Sequence, residues 1–330
     1  MAIANVPPKP KVGRAPFLPG GTIATREHPS VSTENRPAPQ RHIAFVSQRL
    51  VEASTDIRQG PPERAEFLHT VLCHVGFPRQ RADARVFERT SGNVSVRLEA
   101  GTLYTGDGWR AQPLPYGTVP RLIMVHLSSE AIRTRRRTVE LGDSVRQFLA
   151  RLGMSASGGP RGGYAALARQ LAALAACRLT LGMQEAGRVV TVDAKPIKRF
   201  EAWLHGDGTQ RTLWPAALEL SEDFYGTLIE HAVPLDHRAL AALKHSALAL
   251  DVYTWLAHRL CRVRGHSVRL SWQNLREQFG QEYQDARNFK HAFRAALRQV
   301  LAVYPDARVS TVPGGLELRP SRPPLNPKLS

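Results

Sequence analysis

The stretch Asp285–Leu301 constrains this chain more than any other. Read at 3.6 residues per turn, it has two faces. Phe289, Phe293, Ala296, Leu297, Val300 and Leu301 fall on one stripe. Arg287, His291, Arg294 and Arg298 fall on another, at i, i+4, i+7 and i+11, with Asn288 and Lys290 at its border. Such a helix must bury one side in a core, and its basic side suits a DNA major groove. A solvated surface helix is the competing reading of the same pattern, so the rest of the chain has to decide.

Bulk charge weighs in first. The 330 residues carry 45 Lys+Arg against 28 Asp+Glu, a formal +17. A chain so charged seeks polyanions, either nucleic acid or an anionic membrane. No apolar run approaches the roughly 18 residues needed to span a bilayer, and the N-terminus lacks the apolar core of a signal peptide. Nucleic acid in a cytoplasmic setting is therefore the expected partner class, with no membrane. Cys73, Cys177 and Cys261 are widely spaced and no CxxC occurs, so core filling in a reducing compartment is expected. His69, Cys73 and His74 lie close together but have no fourth ligand candidate for zinc. No metal or cofactor is expected.

The organisation follows from punctuation. Residues 1–40 are Pro-rich, basic and without apolar periodicity, as expected of a disordered arm. Residues 41–75 read as helical, and 86–104 as a short antiparallel meander. Pro120 suits the first turn of a helix. That helix leads into Arg133, Arg135, Arg136 and Arg137, a phosphate-binding candidate or a solvated connector. Asp143 or Ser144 should cap a helix through Leu152. After a glycine-rich link, a helix over 164–177 precedes two alternating strands, 177–183 and 188–193. Its outward face reads as alanine with Arg169 and Gln170, which suits packing against protein better than reading DNA. A turn is expected at 206–208 and a strand over 212–220. Val233-Pro-Leu-Asp236 reads as a helix start, and 246–263 as the buried spine of the second half. Then Ser271 caps a helix over 272–279, Gly280 ends it, the basic helix follows, and 309–318 closes as a hairpin.

The expected fold class is α+β, mainly helical, with two tandem winged-helix domains. The order helix, strand, helix, turn, helix, hairpin occurs near 117–193 and again near 247–319. The domains are set at 41–205 and 206–320, between the arm and a loose tail at 321–330.

The chain resembles bacterial plasmid replication initiators of the RepA type, and more distantly TrfA-type initiators. The resemblance runs from about Gly76 to Pro323. It rests on Gly76-Phe-Pro78, Leu114-Pro-Tyr-Gly117, Pro120-Arg121, Glu130-Ala-Ile-Arg-Thr134, Glu140-Leu-Gly142, Phe148-Leu149, Leu152-Gly153, Gly158-Gly159 and Gln170-Leu171. In the second half it rests on Val233-Pro-Leu-Asp236, Leu243-Lys244, Ser246, Ala249-Leu-Asp251, Tyr253, Trp255-Leu256, Ser271-Trp272 and Gln278-Phe-Gly280. It implies a second domain that binds direct repeats (iterons) in double-stranded origin DNA. It implies a first domain for dimerisation and auxiliary DNA contact, with homodimer and monomer in equilibrium. The implied partners are the host replication initiator and helicase.

The helix faces, not the family, place the DNA-reading residues at Arg287, Asn288, Lys290, His291, Arg294 and Arg298. Arginine can bond guanine O6 and N7, and asparagine suits adenine. Arg133, Arg135, Arg136, Arg137 and the region of Arg308 are assigned to phosphates. A winged-helix repressor, possibly of its own gene, would use the same parts. A nicking or ATP-hydrolysing enzyme is disfavoured. The chain has no His-x-His pair, and Gly158-Gly-Pro-Arg-Gly-Gly163 lacks the lysine and Ser/Thr of a phosphate-binding loop.

Overall fold

The computed structural model describes residues 39–325, apart from 107, 143, 186, 194 and 206–211. The expected arm therefore lies almost wholly outside the described residues, as does the turn at 206–208. Within them the chain is α+β, with ten α-helices and several small sheets.

The first half opens with α1 (Pro39–Gln59), β1 (Ala65–His69) and the short α2 (Thr70–His74). Two hairpins follow, β2 (Val86–Ser91) with β3 (Val94–Glu99), and β4 (Thr102–Tyr104) with β5 (Trp109–Ala111). Next come α3 (Thr118–Thr134), β6 (Thr138–Glu140), α4 (Val145–Arg151) and α5 (Gly163–Ala176). Strands β7 (Arg178–Glu185) and β8 (Arg188–Asp193) join the first hairpin in a sheet ordered β2-β3-β7-β8. Strands β9 (Arg199–His205) and β10 (Thr212–Glu219) pair with β6 in the order β6-β10-β9.

The second half comprises α6 (Glu222–His231), β11 (Ala232–Asp236), α7 (His237–Leu243), α8 (Ala247–Arg259), β12 (Val268–Ser271), α9 (Trp272–Phe279), α10 (Ala286–Val303), β13 (Val309–Val312) and β14 (Gly315–Leu318). Its sheet is ordered β12-β14-β13, so β14 is the central strand and all four of its residues are buried.

The helix starts follow local chemistry. Ser144, Ser221, Ser246 and Ser271 each accept a backbone N–H of the first turn at α4, α6, α8 and α9. Helix α8 is buried nearly all round, from Leu248 to His258, as its apolar composition requires.

Two helical expectations are corrected. Residues 65–69 and 232–236 are strands, and they pair antiparallel from Ala65↔Asp236 to His69↔Ala232. Phe67 donates its backbone N–H to Ser129 Oγ at 2.7 Å, which ties this two-stranded sheet to α3. Asp236 does cap a helix, α7, accepting the Arg238 N–H at 2.8 Å. That helix therefore starts a few residues later than its sequence suggests. The tail expected to be loose is packed as far as Leu325, which is buried, and Tyr304 donates to the Arg322 carbonyl at 2.7 Å.

Candidate nucleic-acid interface

Asp285 caps α10, its Oδ1 accepting the Arg287 N–H at 2.9 Å. Phe289, Phe293 and Val300 are fully buried, and Ala296, Leu297 and Val303 nearly so. Phe293 sits at 5.5 Å from Phe279 and 5.6 Å from Phe289, ring to ring. These contacts fix the helix's rotation about its axis, because turning it would expose an aromatic cluster.

That rotation leaves Arg287, His291, Arg294 and Arg298 exposed on one stripe about 16 Å long at 1.5 Å per residue, with Asn288 exposed at its border. Lys290 is half-buried beside them. Among the described residues none of these cations pairs with a carboxylate. Trp272, at the start of α9, lies under two of them. Lys290 Nζ is 5.1 Å and the Arg294 guanidinium 5.3 Å from its ring. The indole holds both cations near the helix while leaving their hydrogen-bond donors free.

The hairpin beside α10 is less available. Glu317 on β14 accepts from Arg319 at 2.8 Å and Ser267 at 3.1 Å, and Arg269 lies 3.7 Å away. The hydrogen bonds from Arg319 and Ser267 hold the Glu317 carboxyl below the usual range. Arg308 is exposed at the base of β13.

The arginines of 133–137 divide. Arg133 pairs with Glu130, and Arg137 reaches Glu222 at 3.4 Å and Glu219 at 3.8 Å. Arg135 and Arg136 are exposed and make no such pair among the described residues. Arg135 caps α3 with a left-handed backbone, φ 55°. It lies fourteen residues along α3 from Arg121, about 20 Å. The structure thus gathers the six α10 residues on one surface and leaves the 133–137 group at the far end of α3. On α5 the expectation for Gln170 is corrected. It is buried, and its Oε1 accepts the Tyr116 N–H at 2.8 Å.

Sequence reasoning missed the polar node that joins the halves. Arg121 on α3 donates to Asp251 on α8 through Nε at 2.6 Å and Nη2 at 2.8 Å. It also donates to the carbonyls of Phe77, Pro78 and Gly117. Arg79 Nε reaches Asp251 at 3.3 Å. Burial alone would raise the Asp251 carboxyl's pKa, but Arg121, then Arg79 and Arg89, outweigh it and hold it below the ordinary value. Gly76 is required here, because a Cβ would meet Asp251 Oδ1 at 2.4 Å. The available signal was one charged residue in each of two apolar runs, Arg121 within 120–127 and Asp251 within 248–256.

His69 and His74 serve other ends. His69 Nδ1 accepts the Val71 N–H at 3.1 Å and caps α2, while His74 Nε2 lies 2.7 Å from His258 Nδ1. Among the described residues no group of three or more His, Cys, Asp or Glu is placed to hold a metal ion. No helix among them is long and apolar enough to cross a membrane.

Residues 114–274 match the family model described as plasmid encoded RepA protein. That region is similar to the RepA family. The RepA match runs from the turn before α3 to the first turn of α9, taking in Arg121, the 133–137 group and Asp251. It stops short of α10, so the basic stripe lies outside it. No curated protein matches the chain. A crystal structure of domains 2 and 3 of RctB is similar with a TM-score of 0.45 and 11% identity, covering 73% of this chain and 88% of that one.

Proposed function

We propose that this chain is a non-enzymatic plasmid replication initiator that binds repeats in double-stranded origin DNA, with α10 in the major groove. One observation carries the reading. Four basic or imidazole side chains stand exposed on one stripe of α10, with Asn288 at its border, above a closed aromatic core. The RepA match supports the replication role. Helix α8, strand β12, helices α9 and α10 and the β13–β14 hairpin follow winged-helix order, with α10 in the position of the recognition helix. Elements α3, β6, α4 and α5 repeat the helical part of that order. The hairpin that pairs with their short strand is β9–β10, in the sheet β6-β10-β9, and not the 177–193 hairpin expected from the sequence, which joins β2 and β3. On this reading the 206–320 region reads the repeats. The 41–205 region serves dimerisation and auxiliary contact, with Arg135 and Arg136 against phosphates. Origin opening would then bring in a host initiator and helicase in the cytoplasm, with monomer and homodimer in exchange.

The test is selection of duplex fragments from the plasmid's own DNA by the purified chain, followed by footprinting. Enrichment of several direct repeats of about two helical turns, beside an AT-rich stretch, is the expected outcome. A single inverted repeat over a promoter would replace this reading with repression. No enrichment at all would remove sequence-specific binding.

A further inference from the structure

The segment that closes α9 and turns into α10 is gripped from the other half of the chain. The Arg79 backbone N–H donates to Glu282 Oε1 at 2.9 Å, and its Nη1 donates to Oε2 at 3.2 Å. Arg89, on β2, donates through Nη2 to Glu282 Oε1 at 3.3 Å and through Nε to Gln281 Oε1 at 3.5 Å. Arg79 Nη2 also donates to the Phe279 carbonyl.

Neither arginine is available to a phosphate. The Arg79 and Arg89 side chains are 7% and 1% exposed, while that of Glu282 is 22% exposed. Burial and the neighbouring Arg79 push the Arg89 guanidinium down to about 10, so it is still charged at neutral pH. Three guanidinium groups therefore crowd around two carboxylates, and Asp251 is already engaged by Arg121. Glu282 is the second of those carboxylates, and it reaches the cluster from the turn that carries α10.

We infer that Arg79, Arg89 and Glu282 form a latch that fixes the pose in which α10 meets DNA. Discrimination between sequences then depends on how residues 76–91 pack against the α9–α10 turn. This rests on the DNA-reading role proposed for α10. Base-edge contacts require placement within about 0.5 Å and 10–20°. Phosphate contacts from long, flexible cations position the protein without carrying sequence information. A loosened turn should therefore cost specific binding and spare non-specific binding. The three residues act as positioning residues, since none is on the DNA-facing stripe.

The experiment uses the full chain and two probes, a duplex it enriches from a random-sequence pool and a scrambled duplex of the same composition. Glu282→Gln keeps the side chain's shape and removes its charge. Gln281→Ala removes the Arg89 contact, along with a bond to the Glu277 carbonyl at the end of α9, and leaves the charges intact. Glu282→Gln should lose about tenfold in affinity for the enriched duplex, the scale of coupling through a packed polar network. Affinity for the scrambled duplex should stay within about twofold, and Gln281→Ala should move the ratio the same way by about two- to threefold. Thermal melting reports the folded fraction. An unchanged ratio in a folded variant, or a parallel loss on both probes that tracks unfolding, overturns the latch. Should Glu282→Gln fail to fold, an unchanged ratio in Gln281→Ala overturns it. Arg294→Ala in the same assays separates the two claims. If it too leaves the ratio unchanged, or if no duplex is enriched, the α10 reading itself has failed.

Discussion

Helices α5 and α10 hold the same place in the element order, each after a short helix and before a hairpin, yet they offer different surfaces. On α5 the residue best suited to contact a base, Gln170, turns inward to the Tyr116 N–H. Arg169 donates to the Pro160 carbonyl at 2.8 Å, so its guanidinium is partly engaged too. On α10 the corresponding groups stand clear, and two of its cations rest on Trp272. Position in a motif therefore does not fix what surface a helix offers. What differs is whether the polar side chains are consumed by the fold or left over from it.

The largest expected effect tests whether α10 separates its two jobs. Phe293→Ala should destabilise the chain by about 3–5 kcal/mol through the cavity it leaves, whereas Arg294→Ala should stay within about 0.5 kcal/mol in denaturant unfolding. Equal losses would mean that the exposed stripe is also structural. Next comes binding. Arg294→Ala with Arg298→Ala should weaken specific binding by about 30-fold or more, at about 1–3 kcal/mol per base contact. Arg169→Ala on α5 should change it less than about threefold. Gel-shift titration at fixed salt checks both, and an equal loss from the α5 variant would erase the contrast.

A third test concerns acid, and it falls on the α3 side of the molecule. His69 and His126 are buried, and burial lowers each to about 4. Their folded pKa lies below the unfolded value near 6.5, so the neutral form is favoured on folding. Their contribution to stability is full above pH 6.5 and is lost as the pH falls from there toward 4. His126→Leu should flatten the decline by about 1.4 kcal/mol per pH unit in that window, read from urea unfolding at several pH values. An unchanged slope would show that His126 already charges in the folded state. The smallest effect belongs to the far end of α3. Arg135→Ala with Arg136→Ala should lower affinity uniformly across sequences and reduce the salt slope by about 1 for each phosphate no longer neutralised. An unchanged slope would leave those arginines merely solvated.

The basic stripe was legible in the sequence because its period and its chemistry lie within one short segment. The cap at Ser271, and Ser144 as one of two cap candidates, were legible for the same reason. Strands β1 and β11 were not. Each has five residues, and Phe67, Val71 and Leu72 happen to fit helical spacing as well. Only the distant partner makes either a strand. The Arg121–Asp251 node was hidden in the same way, although its parts were in view. Gly76-Phe-Pro78, Pro120-Arg121, Ala249-Leu-Asp251 and Gln278-Phe-Gly280, blocks that carry the family resemblance, all meet at or beside it. Those blocks lie at the joint between the halves, whereas the basic stripe of α10 stands outside them.

The pairing of Ala65 with Asp236 also sets an order of events during synthesis. Strand β1 emerges from the ribosome long before its partner exists. At about 5–20 residues per second the wait is roughly 10–30 s. Through that interval β1 presents an open edge, and α3, to which Ser129 ties it, stands against an unfinished neighbour. The first half cannot reach its final state as an independent early product, because its last pairing arrives only once β11 has been made.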